Sequence, residues 1–451
     1  MTRRILLLSL GAIIVLASAG VIFILLTAPR VETVFPARGA EGVLQGTQLE
    51  VTFSRPMRTE SVESRLEVSP PQEGVFTWQD ETVTFRANQP WPSGETITVT
   101  LKSGAQSTLG TPLLRTQSWS FHVSRTLLVY LWPSEGHANI YTLDQISGDT
   151  RQLTQHTTGV DSYSLTHNGL SIYYSVSDTQ GNSQILHLER LYGETTQILD
   201  CFEALCDNPH VSPNGDYMAY ERTPLGPSGE SERIQVWLLP LDGGEPRPAS
   251  SQTSHSPDWS PSGLLTYYDE DQGAFKLLDP TSGESVSIPN ETGEPGTWSP
   301  NGDLFVVPEI IFLTDNDPES PPFTSHLLGY NHPTLNREDL SPEDILEDGN
   351  PVFSPDGSQI AFARRYLDEE RWTPGRQLWL MKPDGVGATQ LTEDAKFQHS
   401  NFAWSPDGEQ LAYVRYNLTT LTDPPEIWTI DYDGREALRL VVDGYDPQWL
   451  P

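Results

Sequence analysis

The chain has 451 residues, enough for two or three domains with separate cores. Aromatic residues make up 10% of it, including 12 Trp, which excludes a disordered chain, and 35 Gly and 37 Pro spread along the length suit many short strands joined by turns. With 27 basic and 61 acidic residues the formal charge is −34, so a phosphate backbone is repelled and nucleic acid is excluded as the expected partner.

Residues 1–30 decide the expected compartment. Ile5 to Thr27 is an uncharged run of 23 residues. As a helix it spans about 34 Å, enough to cross a hydrocarbon core of about 30 Å. Arg3 and Arg4 precede it, which favours a cytoplasmic N-terminus and an extracytoplasmic body. A cleaved signal peptide is the competing reading, because Ala17-Ser18-Ala19 has the look of a small-residue cleavage site. Cleavage there would leave Val21 to Leu26 as an exposed apolar end, so an uncleaved, single-pass anchor in the cell membrane is expected. No cysteine lies nearby, which excludes a lipoprotein anchor.

Residues 31–124 alternate with the two-residue period of half-buried strands, as in Leu49 to Phe53, Val83 to Phe85 and Ile97 to Leu101. Ser54-Arg55-Pro56, Ser69-Pro70-Pro71 and Pro92-Ser93-Gly94 punctuate the runs, and no helical stretch is expected between them. About seven short strands in this length predict an immunoglobulin-like β-sandwich. Phe35-Pro36, Val51 to Met57, Phe76-Thr77-Trp78, Gly94 to Val99, Gly104-Ala105 and Trp119 to Val123 fall in an order that resembles the bacterial Ig-like domain of S-layer proteins. That resemblance implies a spacer or adhesion module without catalytic residues.

Residues 126–451 carry one motif repeatedly: an aromatic or apolar residue, then Ser-Pro-Asp/Asn-Gly, then a short apolar strand. Copies stand at Val211 to Gly215, Trp298 to Gly302, Phe353 to Gly357 and Trp404 to Gly408, with a near copy at Trp259 to Gly263 and a degenerate one at Leu165 to Gly169. Their Ser or Thr residues fall at 166, 212, 260, 299, 354 and 405, so spacings run from 39 (260 to 299) to 55 (299 to 354), the length of a four-stranded propeller blade. The motif is turn chemistry: Pro presets φ, Asp or Asn bonds nearby backbone, and Gly takes positive φ. The aromatic residue is expected to fill the gap between blades. Three strand candidates between residues 126 and 155 have no motif before them, and Asp446 to Pro451 looks like the missing opening of a blade. The expected fold is therefore all-β, a transmembrane helix and Ig-like sandwich followed by a seven-bladed (alternatively six-bladed) β-propeller closed by its C-terminal strand. Trp404-Ser405-Pro406-Asp407-Gly408 and its sister copies, with Gln152-Leu153-Thr154 and Gln390-Leu391-Thr392, resemble the WD-like repeats of TolB-type propellers, which implies a protein-binding platform in the bacterial envelope. That family's usual six blades are a point of departure.

An insertion is expected at about 312–350, containing the acidic Asp315 to Glu319 and a short helix from Ser341-Pro342 through Leu346. The acidic stretch lacks the ligand spacing of an EF-hand and is read as a solvated loop. The two cysteines, Cys201 and Cys206, exclude a Cys-rich zinc framework; outside the cytoplasm they suit a local disulfide, with a pair of thiols as the other reading.

Catalytic motifs are not found: there is no nucleophile elbow, His-Glu-x-x-His pair or phosphate-binding glycine loop, and no cofactor or metal site is expected. Asn208, Ser256, Asn350, Asn401 and Asp446 each stand four residues before the motif Ser or its equivalent, so they are expected to form a ring near one channel mouth, joined by His210 and Asp258. Two readings stay open for that ring, recognition of a ligand and capping of the inner strand's entry turn. The function expected is a monomeric, non-enzymatic envelope protein that binds a protein or glycan; the alternative is a propeller hydrolase or lyase with its acid and base at the channel.

Overall fold

A computed structural model describes residues 27–450 apart from 89, 168, 181, 191–192, 227–231, 314–321, 342–344 and 421. The expected membrane segment up to Leu26, the acidic stretch Asp315 to Glu319 and the turn residue Asn168 lie outside the described residues. Among those described, no helix is long and apolar enough to cross a membrane. The chain divides between Arg125 and Thr126 into two compact units.

The first unit is a sandwich of two four-stranded sheets. One has the order Val31–Phe35, Leu49–Phe53, Thr82–Ala87, Gly74–Gln79; the other runs Ala40–Val43, Gln117–Val123, Thr96–Leu101, Leu66–Ser69. Alternation sorts the faces: Leu49, Val51 and Phe53 are buried while Glu50 is exposed, and Ile97, Val99 and Leu101 meet them from the other sheet. Trp91 sits in the same core and donates its indole N–H to the Thr47 carbonyl at 2.6 Å. A one-turn helix, Thr59–Glu63, corrects the expectation of none; Val62 is fully buried and pins it to the sandwich.

The second unit is built of seven four-stranded antiparallel groups, here called sheets 1 to 7 in chain order. Sheet 2 holds Tyr163–Leu165, Ser171–Ser177, Ser183–Glu189 and Glu194–Cys201. Sheet 3 holds Ala204–Val211, Tyr217–Pro224, Gln235–Pro240 and Arg247–Pro248, and sheet 4 Ser254–Trp259, Leu265–Asp269, Ala274–Leu278 and Ser285–Pro289. Sheet 5 (Thr297–Trp298, Leu304–Phe312, Phe323–Asn331, Asn336–Asp339) is joined by one parallel bridge, Ser325 to Glu347, to sheet 6 (Leu346–Phe353, Ile360–Tyr366, Gln377–Met381, Thr389–Gln390). Sheet 7 holds Phe397–Trp404, Gln410–Asn417, Glu426–Asp431 and Leu438–Val442. Sheet 1 takes three strands from the start of the unit, Leu127–Trp132, Asn139–Leu143 and Thr150–Gln152, and its first strand from the end, Tyr445–Leu450, with Trp449 opposite Leu128.

Packing makes this a ring. Each successive pair of sheets shares one apolar core, from Ile140 with Tyr174 between sheets 1 and 2 to Leu378 with Trp404 between sheets 6 and 7. The last core returns to the first sheet, where Ala412, Val414 and Ile427 meet Leu128, Tyr130 and Trp449. Ser134, far from it in sequence, donates its backbone N–H to the Asp443 carbonyl at 2.9 Å and fastens the same seam. Radial sheets packed face to face in a closed cycle are the architecture of a β-propeller.

The stretch 312–350 is not an insertion beside a sheet. It supplies the third and fourth strands of sheet 5 and the opening strand of sheet 6, and the long motif spacing there reflects two nine-residue strands, Leu304–Phe312 and Phe323–Asn331, paired throughout. Leu346, expected at the end of a helix, begins a strand; Pro342 to Asp344 lie outside the described residues. Cys201 and Cys206 are disulfide-bonded, buried, and cinch the passage from the last strand of sheet 2 to the first of sheet 3.

Candidate functional site at the inner strands

The repeated motif acts through a residue whose role is not evident from the turn rules alone. In sheet 6, Ser354 donates its hydroxyl to Asp356 at 2.6 Å and accepts from the Gln359 N–H at 3.0 Å; Ser299 repeats this with Asn301 and Leu304, and Ser405 with Asp407 and Gln410. Serine thus bridges the turn, while the preceding aromatic residue fills the inter-sheet gap and ties it polar-end first: Trp259 Nε1 donates to the His210 carbonyl at 2.9 Å and Trp404 Nε1 to that of Val352 at 3.2 Å.

The five ring positions share a backbone feature. Asn208, Ser256, Asn350, Asn401 and Asp446 have φ of 52°, 56°, 51°, 50° and 51°. At each, the register of the first strand slips against the second, between Asp207 and His210, His255 and Asp258, Gly349 and Val352, Ser400 and Ala403, and Tyr445 and Gln448. A bulge with a left-handed residue favours Asn and Asp, whose short polar side chains tolerate that region. In sheets 2 and 5 the equivalent residues are Ser162 and Pro295, and the ladder runs without a shift. The shared residue type is therefore explained by a bulge that bends the inner strand.

Side chains beyond the bulge residues make the chemistry, and they gather on sheets 1 to 4. His210 Nε2 lies 3.1 Å from Asn208 Oδ1, and His210 Nδ1 is 3.9 Å from the Asp258 carboxylate. Glu221 accepts from the Ser256 N–H at 2.7 Å and from Asn208 Nδ2 at 3.4 Å, bridging sheets 3 and 4. His255 is held between Ser256 Oγ at 2.8 Å and Glu270 at 3.5 Å. Asp207 accepts from Ser175 Oγ and Ser162 Oγ, and Ser162 Oγ in turn accepts from the Asn208 N–H at 2.9 Å. Tyr163 donates its hydroxyl to the Asp446 carbonyl at 2.5 Å, linking sheet 2 to the closing strand. Asn350 and Asn401 are exposed, and no hydrogen bond among the described residues joins them to this group. The structure thus brings together Asn208, His210, Ser256 and Asp258, seats Asp446 beside Tyr163, and leaves Asn350 and Asn401 on sheets 6 and 7.

The carboxylates of this group are not met by Lys or Arg: Asp161, Asp207, Glu221, Asp258 and Asp446 have no ion-pair partner of either kind among the described residues. Desolvation raises the Asp161 carboxyl, with repulsion from Asp207 adding to it. Desolvation also raises Asp258, against the pull of His210, although its side chain keeps about half of its exposure. Asp446 is pushed up to about 6, again by desolvation. The folded state therefore holds this proton more tightly than the unfolded chain, where Asp titrates near about 3.9, and Asp446 opposes folding increasingly as pH rises from about 4 to about 6. Asp446→Asn, which suits the same left-handed φ, is expected to stabilise the protein by about 2 kcal/mol at pH 7 and by almost nothing at pH 4. Denaturant melts of both proteins at the two pH values check it.

Sheets 5 and 6 carry polar groups that the repeat pattern does not reveal. Arg364 makes two 2.7 Å bonds to Asp348, both side chains being buried, and Ser341 Oγ adds a 2.6 Å bond to the same carboxylate. Burial works against the Arg364 charge, but the Asp348 bonds outweigh it and hold the guanidinium ionised. Glu347 takes Arg365 and Arg376. On sheet 7 Arg415 is sandwiched 4.0 Å from the rings of Phe397 and Trp428 and bonds Glu426 at 2.7 Å. The cations here are thus spent on neighbouring carboxylates. A sequence signal existed, since register opposes Glu347-Asp348 to Arg365-Arg364.

Strand order and packing together define a two-sheet β-sandwich followed by a β-propeller. Residues 26–123 match the bacterial Ig-like domain family. Among characterised and uncharacterised relatives, the chain is 32% identical over 108 residues to the Tol-Pal system protein TolB of Gluconobacter oxydans (strain 621H), covering 23% of this chain and 22% of that protein. It is 24% identical over 110 residues to an uncharacterised peptidase, YuxL, of Bacillus subtilis (strain 168), covering 24% and 16%. The chain thus spans about a fifth of the length of these relatives. Among solved structures, a prolyl endopeptidase superposes with a TM-score of 0.51 at 11% identity, over 84% of this chain and 51% of that one, a likeness of fold.

Proposed function

We propose that the protein is a monomeric, non-enzymatic binding protein of the cell envelope. In this reading it is a seven-bladed propeller borne on an Ig-like spacer and held at the cell membrane by residues 5–27, with its body outside the cytoplasm. The observation that carries the reading is the group of carboxylates on and beside the first strands of the sheets, Asp161, Asp207, Asp258 and Asp446, which have no Lys or Arg partner among the described residues and gain one when a Lys- or Arg-bearing segment of another protein enters the mouth. The similarity to TolB supports an envelope role, and the Cys201–Cys206 disulfide supports an oxidising compartment.

The test uses fluorescent peptides of matched length, basic and acidic, with the full chain and a variant carrying Asp161→Asn, Asp258→Asn and Asp446→Asn. The basic peptide is expected to bind, to weaken steeply with salt, and to lose at least about tenfold in affinity to the variant. Equal binding of both peptides, or binding untouched by the variant or by salt, counts against the reading.

A further inference from the structure

Between sheets 4 and 5 the apolar packing stops short of one face. Phe305 and Val307 of sheet 5 close on Phe275 and Leu277 of sheet 4. Beyond them lies a cleft of about 420 Å3, whose walls include Ile311, Phe312, Leu328, Glu309, Arg337 and Asp339. That volume falls within the range of small-molecule sites, and the mixture of apolar walls with a few placed polar groups is theirs as well. Strand alternation explains the arrangement: Phe305, Val307, Glu309 and Ile311 occupy one face of their strand, so a carboxylate follows an apolar stripe into the same gap.

Glu309 is held in place by neutral donors, Asn290 Nδ2 at 2.6 Å and the Glu291 N–H at 3.1 Å, and desolvation raises its carboxyl above the usual range. Asn290 is itself buried and spends its other amide hydrogen bond on the Pro308 carbonyl at 2.8 Å, so the Asn290-Glu291-Thr292 sequon is structural. Directly across the strand pair from Glu309 stands His326, 5% exposed. Its Nδ1 lies 2.8 Å from Asp339, and its Nε2 has no hydrogen-bond partner among the described residues. Glu291, Glu309 and Asp339 line the cleft against a single guanidinium, Arg337.

We propose that this cleft is a second binding site, separate from the inner-strand mouth, for a small organic cation: a primary ammonium on an apolar or aromatic stem. The ammonium lies against Glu309, exchanging neutral hydrogen-bond partners for a charge-assisted one, and the stem lies on Ile311 and Leu328. Phe312, 68% exposed at the rim, gains cover when the site is filled.

Calorimetric titration of the full chain with phenethylamine, 2-phenylethanol and phenylacetate tests this. The amine is expected to bind saturably at one site, with the alcohol and the carboxylate at least about tenfold weaker. Glu309→Gln, which keeps an oxygen to accept from Asn290 and Glu291, is expected to weaken the amine by at least about tenfold in a protein that still melts cooperatively. Arg337→Ala, which removes the competing cation, is expected to tighten it by about threefold, and this holds the test open if Glu309→Gln fails to fold. An alcohol that binds as tightly as the amine, or amine affinity unmoved by either variant, overturns the proposal. Loss of amine binding in the Asp161/Asp258/Asp446 variant also overturns it, because it moves the amine to the mouth. A blocked lysine, Nα-acetyl-lysine methylamide, separates the sources: tighter binding of it than of phenethylamine overturns the small-molecule assignment in favour of a protein side chain.

Discussion

Asp348→Ala is expected to destabilise the propeller by about 3–5 kcal/mol, among the largest effects of any single substitution in the chain. Arg364 is almost fully buried, and its guanidinium rests 4.9 Å from the Phe362 ring and 5.3 Å from that of Trp379. Without the carboxylate it keeps those rings but loses both 2.7 Å bonds, leaving a charge that cannot reach water. Ser341 loses its acceptor as well, and Ser341 Oγ is the group that meets the Leu327 N–H at the join of sheets 5 and 6. The charge rather than the lost contact dominates, so Asp348→Ala with Arg364→Met is expected to recover at least about 1–2 kcal/mol relative to the single variant. Chemical denaturation of the wild type, both singles and the double closes the cycle. A double variant no better than Asp348→Ala would put the cost in packing instead.

Trp449→Ala is expected to cost about 3–5 kcal/mol and to loosen the ring at one seam. Trp449 is buried between the last and first sheets, and its indole N–H meets the Ala403 carbonyl at 3.1 Å, the tie that Trp404 and Trp259 make elsewhere in the cycle. The difference is covalent: every other seam lies within continuous chain, while this one joins residues some three hundred positions apart. Removing the closing strand altogether leaves Leu127–Trp132 as an open edge, and concentration-dependent aggregation is the expected result, read by light scattering. The substituted protein is expected to remain folded with a lowered midpoint, read by thermal melting.

Turn chemistry and period made most of the propeller legible. The Ser-Pro-Asp/Asn-Gly copies fixed where each sheet opens, and the orphaned strands at Leu127 and Trp449 pointed to each other because only pairing removes both edges. What periodicity does not carry is register between distant strands. The apparent insertion dissolved because two nine-residue strands read as a long gap between motifs. The ring of Asn, Ser and Asp was visible as a pattern, but its cause, a left-handed bulge, is a property of paired backbones. His210 and Asp258 were named from their position just before the motif. Asp161, Asp207 and Glu221 were not, because an acidic residue in a chain with 61 of them stands out only once neighbouring strands bring it beside another.

Hydrogen exchange across sheet 1 tests the closure of the ring most directly. In the full chain, the amides of Tyr445–Leu450 are expected to exchange as slowly as those of Phe397–Trp404, the first strand of sheet 7, because each is paired along one side to the second strand of its sheet. Rapid exchange of the C-terminal strand while Phe397–Trp404 stays protected would contradict the closed ring, and with it the carboxylate group that Asp446 joins.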